Sequence, residues 1–193
     1  MPSPKKFQQS LVSCGVSPEV IRAIGEGFES IDDASAQAVR AAYFKRAADR
    51  LDASLSFEQK RDLMDQNGCC KSGAREKASK AFFREHKDLP LKEKLPLIAA
   101  VPNMGRPVFN GDGTITIHAV TYRVGEKFAC ACPNYNRLKR DYPVSRTYCL
   151  CCAGHFRFHY EIMLGVKLRL LSVDSSPLDT DGAEPCVMTF AVD

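Results

Sequence analysis

Through roughly the first hundred residues apolar positions recur at helical spacing, and beyond Pro107 the period falls to two. Ser17-Pro18-Glu19 reads as a cap followed by proline at the first helical position, turning Val20, Ile21 and Ile24 inward. From about Asp33 to Leu51 the chain is rich in Ala and Arg, with Val39, Ala42, Tyr43 and Ala47 at helical spacing. Ser56 to Gln59 has the form of a capping box, opening a helix that runs to Asn67-Gly68, where a left-handed stop is expected. Further helices are predicted over Ala74 to His86 and around Lys92 to Ala99.

The second half reads differently. Asn110-Gly111-Asp112-Gly113 is a tight-turn signal, and Thr114 to Tyr122 alternates polar and apolar residues as a strand does. A second strand is expected from Phe128 to Cys132, and a polar connection with two prolines over 133–148. Gly154 is expected to open a helix of about ten residues, which Gly165 closes. Val166–Val173 and Cys186–Val192 read as two more strands. Helices followed by strands predict an α+β fold, with a helical N-terminal region packed on a mostly antiparallel sheet that carries one C-terminal helix. Residues 1–106 form the helical region and 107–193 a cysteine-rich α+β ligand-binding region, the two expected to make one compact unit.

Cysteine usage changes the picture most. Five of the nine cysteines fall within 23 residues, as Cys130-Ala-Cys132 and Cys149-Leu-Cys151-Cys152, with Cys69-Cys70 upstream. Thiolate is the soft ligand that zinc and iron–sulfur clusters prefer. Cys149 and Cys152 have the spacing of a zinc knuckle, and two residues of a strand placed two apart share a face, which would aim Cys130 and Cys132 at one ion. The expected zinc ligands are Cys130, Cys132, Cys149 and either Cys151 or Cys152, with Cys70 or Cys69 as a remote ligand. An iron–sulfur cluster ranks behind zinc because its recognised spacings are absent. Cys14 and Cys186 read as core positions.

His155 and His159, four apart, lie on one helical face nearly opposite the Arg157–Glu161 pair, so they are expected to face inward, either as core histidines bonded to backbone or lining a pocket beside the metal or reaching it. His118 reads as solvated and His86 as a helix terminus. No Gly-x-Ser-x-Gly, Walker-type loop or Gly-x-Gly-x-x-Gly is present.

Charge and hydropathy narrow the setting. Net charge is +4 over 193 residues, yet residues 123–169 hold 9 basic and 3 acidic side chains, and 170–193 hold none and 5. Four thiolates around a divalent ion leave two negative charges, which nearby Arg and Lys would offset. Nucleic acid is the weaker explanation of that basic stretch, since no nucleic-acid fold accompanies it and the tail is acidic. No run of 18 apolar residues could span a membrane. With no apolar core behind the first lysines and an odd number of cysteines, the expected compartment is the cytoplasm.

Tyr148-Cys-Leu-Cys-Cys-Ala-Gly-His-Phe-Arg-Phe-His-Tyr160, Leu164-Gly-Val-Lys-Leu168, Ser175-Ser176 and Pro185-Cys186-Val-Met-Thr-Phe190 together resemble the 4-vinyl-reductase-type domain family. The resemblance covers about residues 107–193, and related chains include hydrolases acting on aminothiazoline carboxylate. It implies a cytoplasmic α+β small-molecule-binding domain, often a homodimer, with cysteines near a metal. In the closing pattern Phe190 stands where the family has a nearer Phe, and the doubled Cys151-Cys152 and the Cys130-x-Cys132 pair are richer than the family pattern. The leading expectation is a zinc-containing small-molecule-binding protein, sensor or carrier in kind. A metal-assisted hydrolase of a small amide-like or cyclic substrate and a thiol redox sensor are the alternatives.

Overall fold

A computed structural model describes residues 2–193. Seven helices precede or interrupt six strands: α1 (Pro4–Ser13), α2 (Pro18–Gly25), α3 (Gln37–Ser54), α4 (Phe57–Gln66), α5 (Ala74–His86), α6 (Leu91–Ile98), β1 (Arg106–Phe109), β2 (Thr114–His118), β3 (Tyr122–Val124), β4 (Lys127–Ala129), α7 (Leu150–Leu164), β5 (Leu168–Ser175) and β6 (Val187–Val192). The architecture is α+β. Four strands form an antiparallel sheet in the order β1-β2-β6-β5, and β3 with β4 makes a separate hairpin.

Period two in β2 sends Ile115 and Ile117 to the buried face, where they pair with Phe190 and Met188 of β6; Leu170 and Val173 of β5 extend the same face. α7 contacts β5 as well as α4, α5 and α6, and its residues are buried on nearly every side. A helix enclosed in this way needs no polar face, which is why its pattern lacks strong amphipathicity. One apolar core runs from Phe7 and Phe44 through Tyr148, Tyr160 and Met163 to Phe190, joining the helical region to the sheet.

Several local expectations hold in detail. Ser17 caps α2 ahead of Pro18, Ser56 and Gln59 form the reciprocal capping box of α4, and Gly165 ends α7 at φ 74°. Others are corrected. Asn67 is not left-handed, at φ −92°, because its buried amide turns back to donate to the Leu63 carbonyl at 3.0 Å; the left-handed residue is Cys70, at φ 58°. In α3 the inward face is Ala41, Tyr43, Phe44, Ala47, Ala48 and Leu51, leaving Val39 exposed.

β1 was not anticipated. Pro107 sits in it, which an edge strand tolerates since its missing N–H need not face a neighbour. The strand expected to reach Cys132 stops at Ala129, so Cys130 and Cys132 lie in the following loop, not on a pleated face.

α7 begins at Leu150, four residues before Gly154, with a 3-10 turn over Arg146–Cys149 ahead of it. Gly154 is therefore interior, and its role is packing: a Cβ there would stand 2.5 Å from Asp65 Oδ1 and 3.0 Å from Asp65 Cα of α4. Arg157, expected to face water, is instead half-buried and donates to Asp65 Oδ2 at 2.9 Å and to Glu161 Oε1 at 3.2 Å. Cys14, expected in the core, is exposed.

Candidate functional site

Eight of the nine cysteines line one cavity of about 290 Å³. They come from four separate stretches of chain. Cys69 and Cys70 sit in the loop between α4 and α5; Cys130 and Cys132 follow the β3–β4 hairpin. Cys149, Cys151 and Cys152 occupy the 3-10 turn and the first turn of α7, and Cys186 immediately precedes β6. Apolar side chains such as Val120, Phe128 and Phe156 complete the wall, and among the described residues Arg75 is the one ionised side chain in it. All nine cysteines are free thiols.

Local structure accounts for the convergence. The 3-10 turn that delivers Cys149 is tied to α3: Asp52 accepts from Thr147 Oγ1 at 2.6 Å and from Lys60 Nζ at 2.7 Å. Burial alone would raise the Asp52 pKa, but bonds from Lys60, Ser145 and Thr147 and the Lys60 charge hold it below its ordinary value of 3.8. A depressed carboxylate pKa contributes stability that is full above 3.8 and is lost as pH falls through the folded value. In chemical denaturation across acidic pH, Asp52→Asn is expected to lose less stability than wild type in that window. Equal acid slopes would show that Asp52 is not a tether.

Two buried histidines of α7 hold the Cys69-Cys70 loop by its backbone. A carbonyl can only accept, so His155 Nδ1 donates to the Cys69 carbonyl at 2.9 Å and His159 Nε2 donates to the Cys70 carbonyl at 2.8 Å. His159 Nδ1 then accepts from the Ser79 hydroxyl at 2.8 Å. His155 lines the cavity. His159 does not; both its nitrogens are used and it is fully buried behind the loop, which corrects its expected place in the pocket wall. Burial, with the His159 charge adding to it, pushes the His155 pKa down to about 4. At neutral pH its Nε2 is therefore an unprotonated lone pair, and it has no hydrogen-bond partner among the described residues.

The thiols of the cavity are coupled throughout, in two overlapping groups. Burial raises the pKa of Cys130, Cys149, Cys152 and Cys186, the last to about 12, and ionising any one would raise it further in another. All six pairs among these four lie within that electrostatic reach. Cys69, Cys132 and Cys151 form the second group, each within reach of the other two; Cys132 also reaches Cys130 and Cys149, and Cys151 also reaches Cys149 and Cys152. Arg140 stands near the first group, where it favours the Cys130 thiolate, and Arg75 stands near Cys70 and His155.

As they stand, some sulfurs bond to hydroxyls. Cys132 Sγ lies 2.8 Å from Tyr148 Oη, which also accepts from Asn134, and the Cys149 thiol donates to Ser176 Oγ at 3.2 Å. Among the described residues no three Cys, His, Asp or Glu side chains already stand at the spacing that would hold an ion. Gripping one would therefore require side-chain rotation away from Tyr148 and Ser176.

The arrangement can take a thiophilic metal, and it can enclose a small molecule of modest size. Of the residues expected from the spacing, Cys69, Cys70, Cys130, Cys132, Cys149, Cys151, Cys152 and His155 are brought together. Cys186, Arg75 and Tyr148 were missed. Cys186 opens a strand and reads as core by position alone; its place at the cavity depends on β6 pairing with β2, where the Ala119 N–H donates to the Cys186 carbonyl at 3.0 Å. No protein-family model, curated protein or solved structure matches this chain.

Proposed function

We propose that the protein binds zinc through the thiols of its cavity and takes a small molecule in the space that remains. The observation that carries this reading is the convergence of eight cysteines, from four distant stretches, on one cavity. A set of inert core cysteines has no physical reason to collect on a single void.

The zinc ligands in this reading are Cys130, Cys149, Cys152 and Cys186, the four that lie within reach of one another. Four sulfurs satisfy a closed tetrahedral site, and Cys149 with Cys152 supplies the knuckle spacing on one helical turn. The thiols enter protonated because burial disfavours the thiolate, so the ion must displace their protons on binding. Arg140 offsets part of the resulting negative charge. A reducing compartment such as the cytoplasm suits nine free thiols. The resemblance of residues 107–193 to 4-vinyl-reductase-type domains supports the small-molecule half of the reading.

The test is zinc affinity by competition with a chromophoric chelator, on reduced protein and on single Cys→Ser variants. Cys130→Ser, Cys149→Ser, Cys152→Ser and Cys186→Ser are each expected to weaken binding by about 100-fold or more, and Cys14→Ser to leave it unchanged. Four variants that bind as tightly as wild type would exclude this ligand set.

A further inference from the structure

We propose a second zinc site in the same cavity, made by Cys69, Cys132, Cys151 and the Nε2 of His155. This rests on the reading of the cavity as a zinc site and adds a second ion of different coordination, three sulfurs and one nitrogen. Such Cys₃His sets are among the ordinary closed zinc sites.

Three observations support it. First, all four side chains line the cavity, the three thiols come from three different stretches of chain, and the bond from His155 to the Cys69 carbonyl holds the Cys69 loop against the part of α7 that carries Cys151. Second, Cys151 and His155 are one turn apart on α7, so the helix presents sulfur and imidazole on one face. Third, His155 has the outer bonding of a metal ligand. It is 3% exposed, and its Nδ1–H is committed to the Cys69 carbonyl at 2.9 Å, which fixes the tautomer and leaves Nε2 as the acceptor. Histidines on zinc characteristically donate their other N–H to a carbonyl or carboxylate in this way. The same bond fastens the Cys69 loop to the helix that carries the other two ligands of the set's α7 side.

The two sets divide the thiols without overlap. Cys130, Cys149, Cys152 and Cys186 remain with the first ion; of the eight cavity thiols only Cys70 is left over, and it is exposed and left-handed at φ 58°. Cys132 must rotate away from Tyr148 Oη to join the second ion, a hydroxyl-for-metal exchange at 2.8 Å. Loading is an exchange of cation for protons with no electron transfer: three thiols lose their protons to solvent as the zinc–sulfur bonds form.

The experiment is zinc stoichiometry of the full chain under anaerobic, reducing conditions, paired with zinc-edge X-ray absorption of the wild type. Two zinc ions per chain are expected, with an average shell of seven sulfurs and one nitrogen per two ions. His155→Ala and Cys151→Ser are each expected to hold one ion, whose shell is four sulfurs, and Cys186→Ser to keep the ion with the nitrogen ligand. One zinc per chain in wild type, with an all-sulfur shell, would overturn the second site and leave the first standing. No zinc at all would overturn both. Because the absorption measurement is made on wild type, the proposal stays testable even where a variant fails to fold.

Discussion

Replacing Gly154 with alanine is expected to lower the melting temperature by about 2–4 °C. The α4–α7 contact is set by this residue, since an added Cβ would meet Asp65 Oδ1 at 2.5 Å and the Asp65 backbone Cα at 3.0 Å. Asp65 cannot simply swing aside. Arg157 donates to both its carboxylate oxygens, and Lys71 Nζ lies 3.1 Å from Oδ2 and 2.7 Å from the Asp65 carbonyl. The helices must separate or the ion pairs must break. Overpacking of this kind costs about 2 kcal/mol, and at this chain length each kcal/mol is worth about 2–4 °C. The intrinsic preference of helices for alanine acts the other way by about 1 kcal/mol, so an unchanged or raised melting point would show that the two helices are not in tight contact.

His159→Ala is expected to cost about 3 kcal/mol and to release the Cys69-Cys70 loop. The side chain is fully buried and holds two bonds of 2.8 Å, one to Ser79 and one to the Cys70 carbonyl. Truncation leaves a void and a Cys70 carbonyl without its partner, each a recognised source of large destabilisation, while the Ser79 hydroxyl keeps its 3.0 Å bond to the Arg75 carbonyl. The loop consequence separates this role from simple core filling. Without the bond to its carbonyl, Cys70 loses the restraint that keeps it at a left-handed φ of 58°, a conformation that costs a non-glycine residue free energy. Alkylation of Cys69 and Cys70, followed by peptide mass spectrometry, is expected to accelerate about tenfold or more in the variant, by relief of a restraint worth roughly 1.4 kcal/mol. Unchanged rates at these two thiols, alongside a lowered melting point, would reduce His159 to a packing residue.

Sequence patterning captured the α+β order and the element types because capping boxes, Pro at helix starts, Gly165 at a helix end and period-two strands are local signals. It failed where geometry is decided by distant partners. Gly154 resembles a helix start because glycine commonly opens or closes helices; only the presence of Asp65 on a neighbouring helix explains a glycine inside α7. Clustered cysteines pointed to the site directly, and seven of the eight cavity thiols were named from spacing alone. Cys186 was lost because a cysteine at a strand start looks like core, and Arg75 because nothing local marks an arginine as facing a void. The inward aim of His155 and His159 followed from helical periodicity, while their differing roles depend on which one meets the cavity and which meets Ser79.

Elemental analysis of natively purified, fully reduced protein puts the whole reading at risk in a single step. At least one zinc ion per chain is expected, released by chelator with a matching rise in titratable thiols. Metal-free protein in which all nine thiols already react would contradict it.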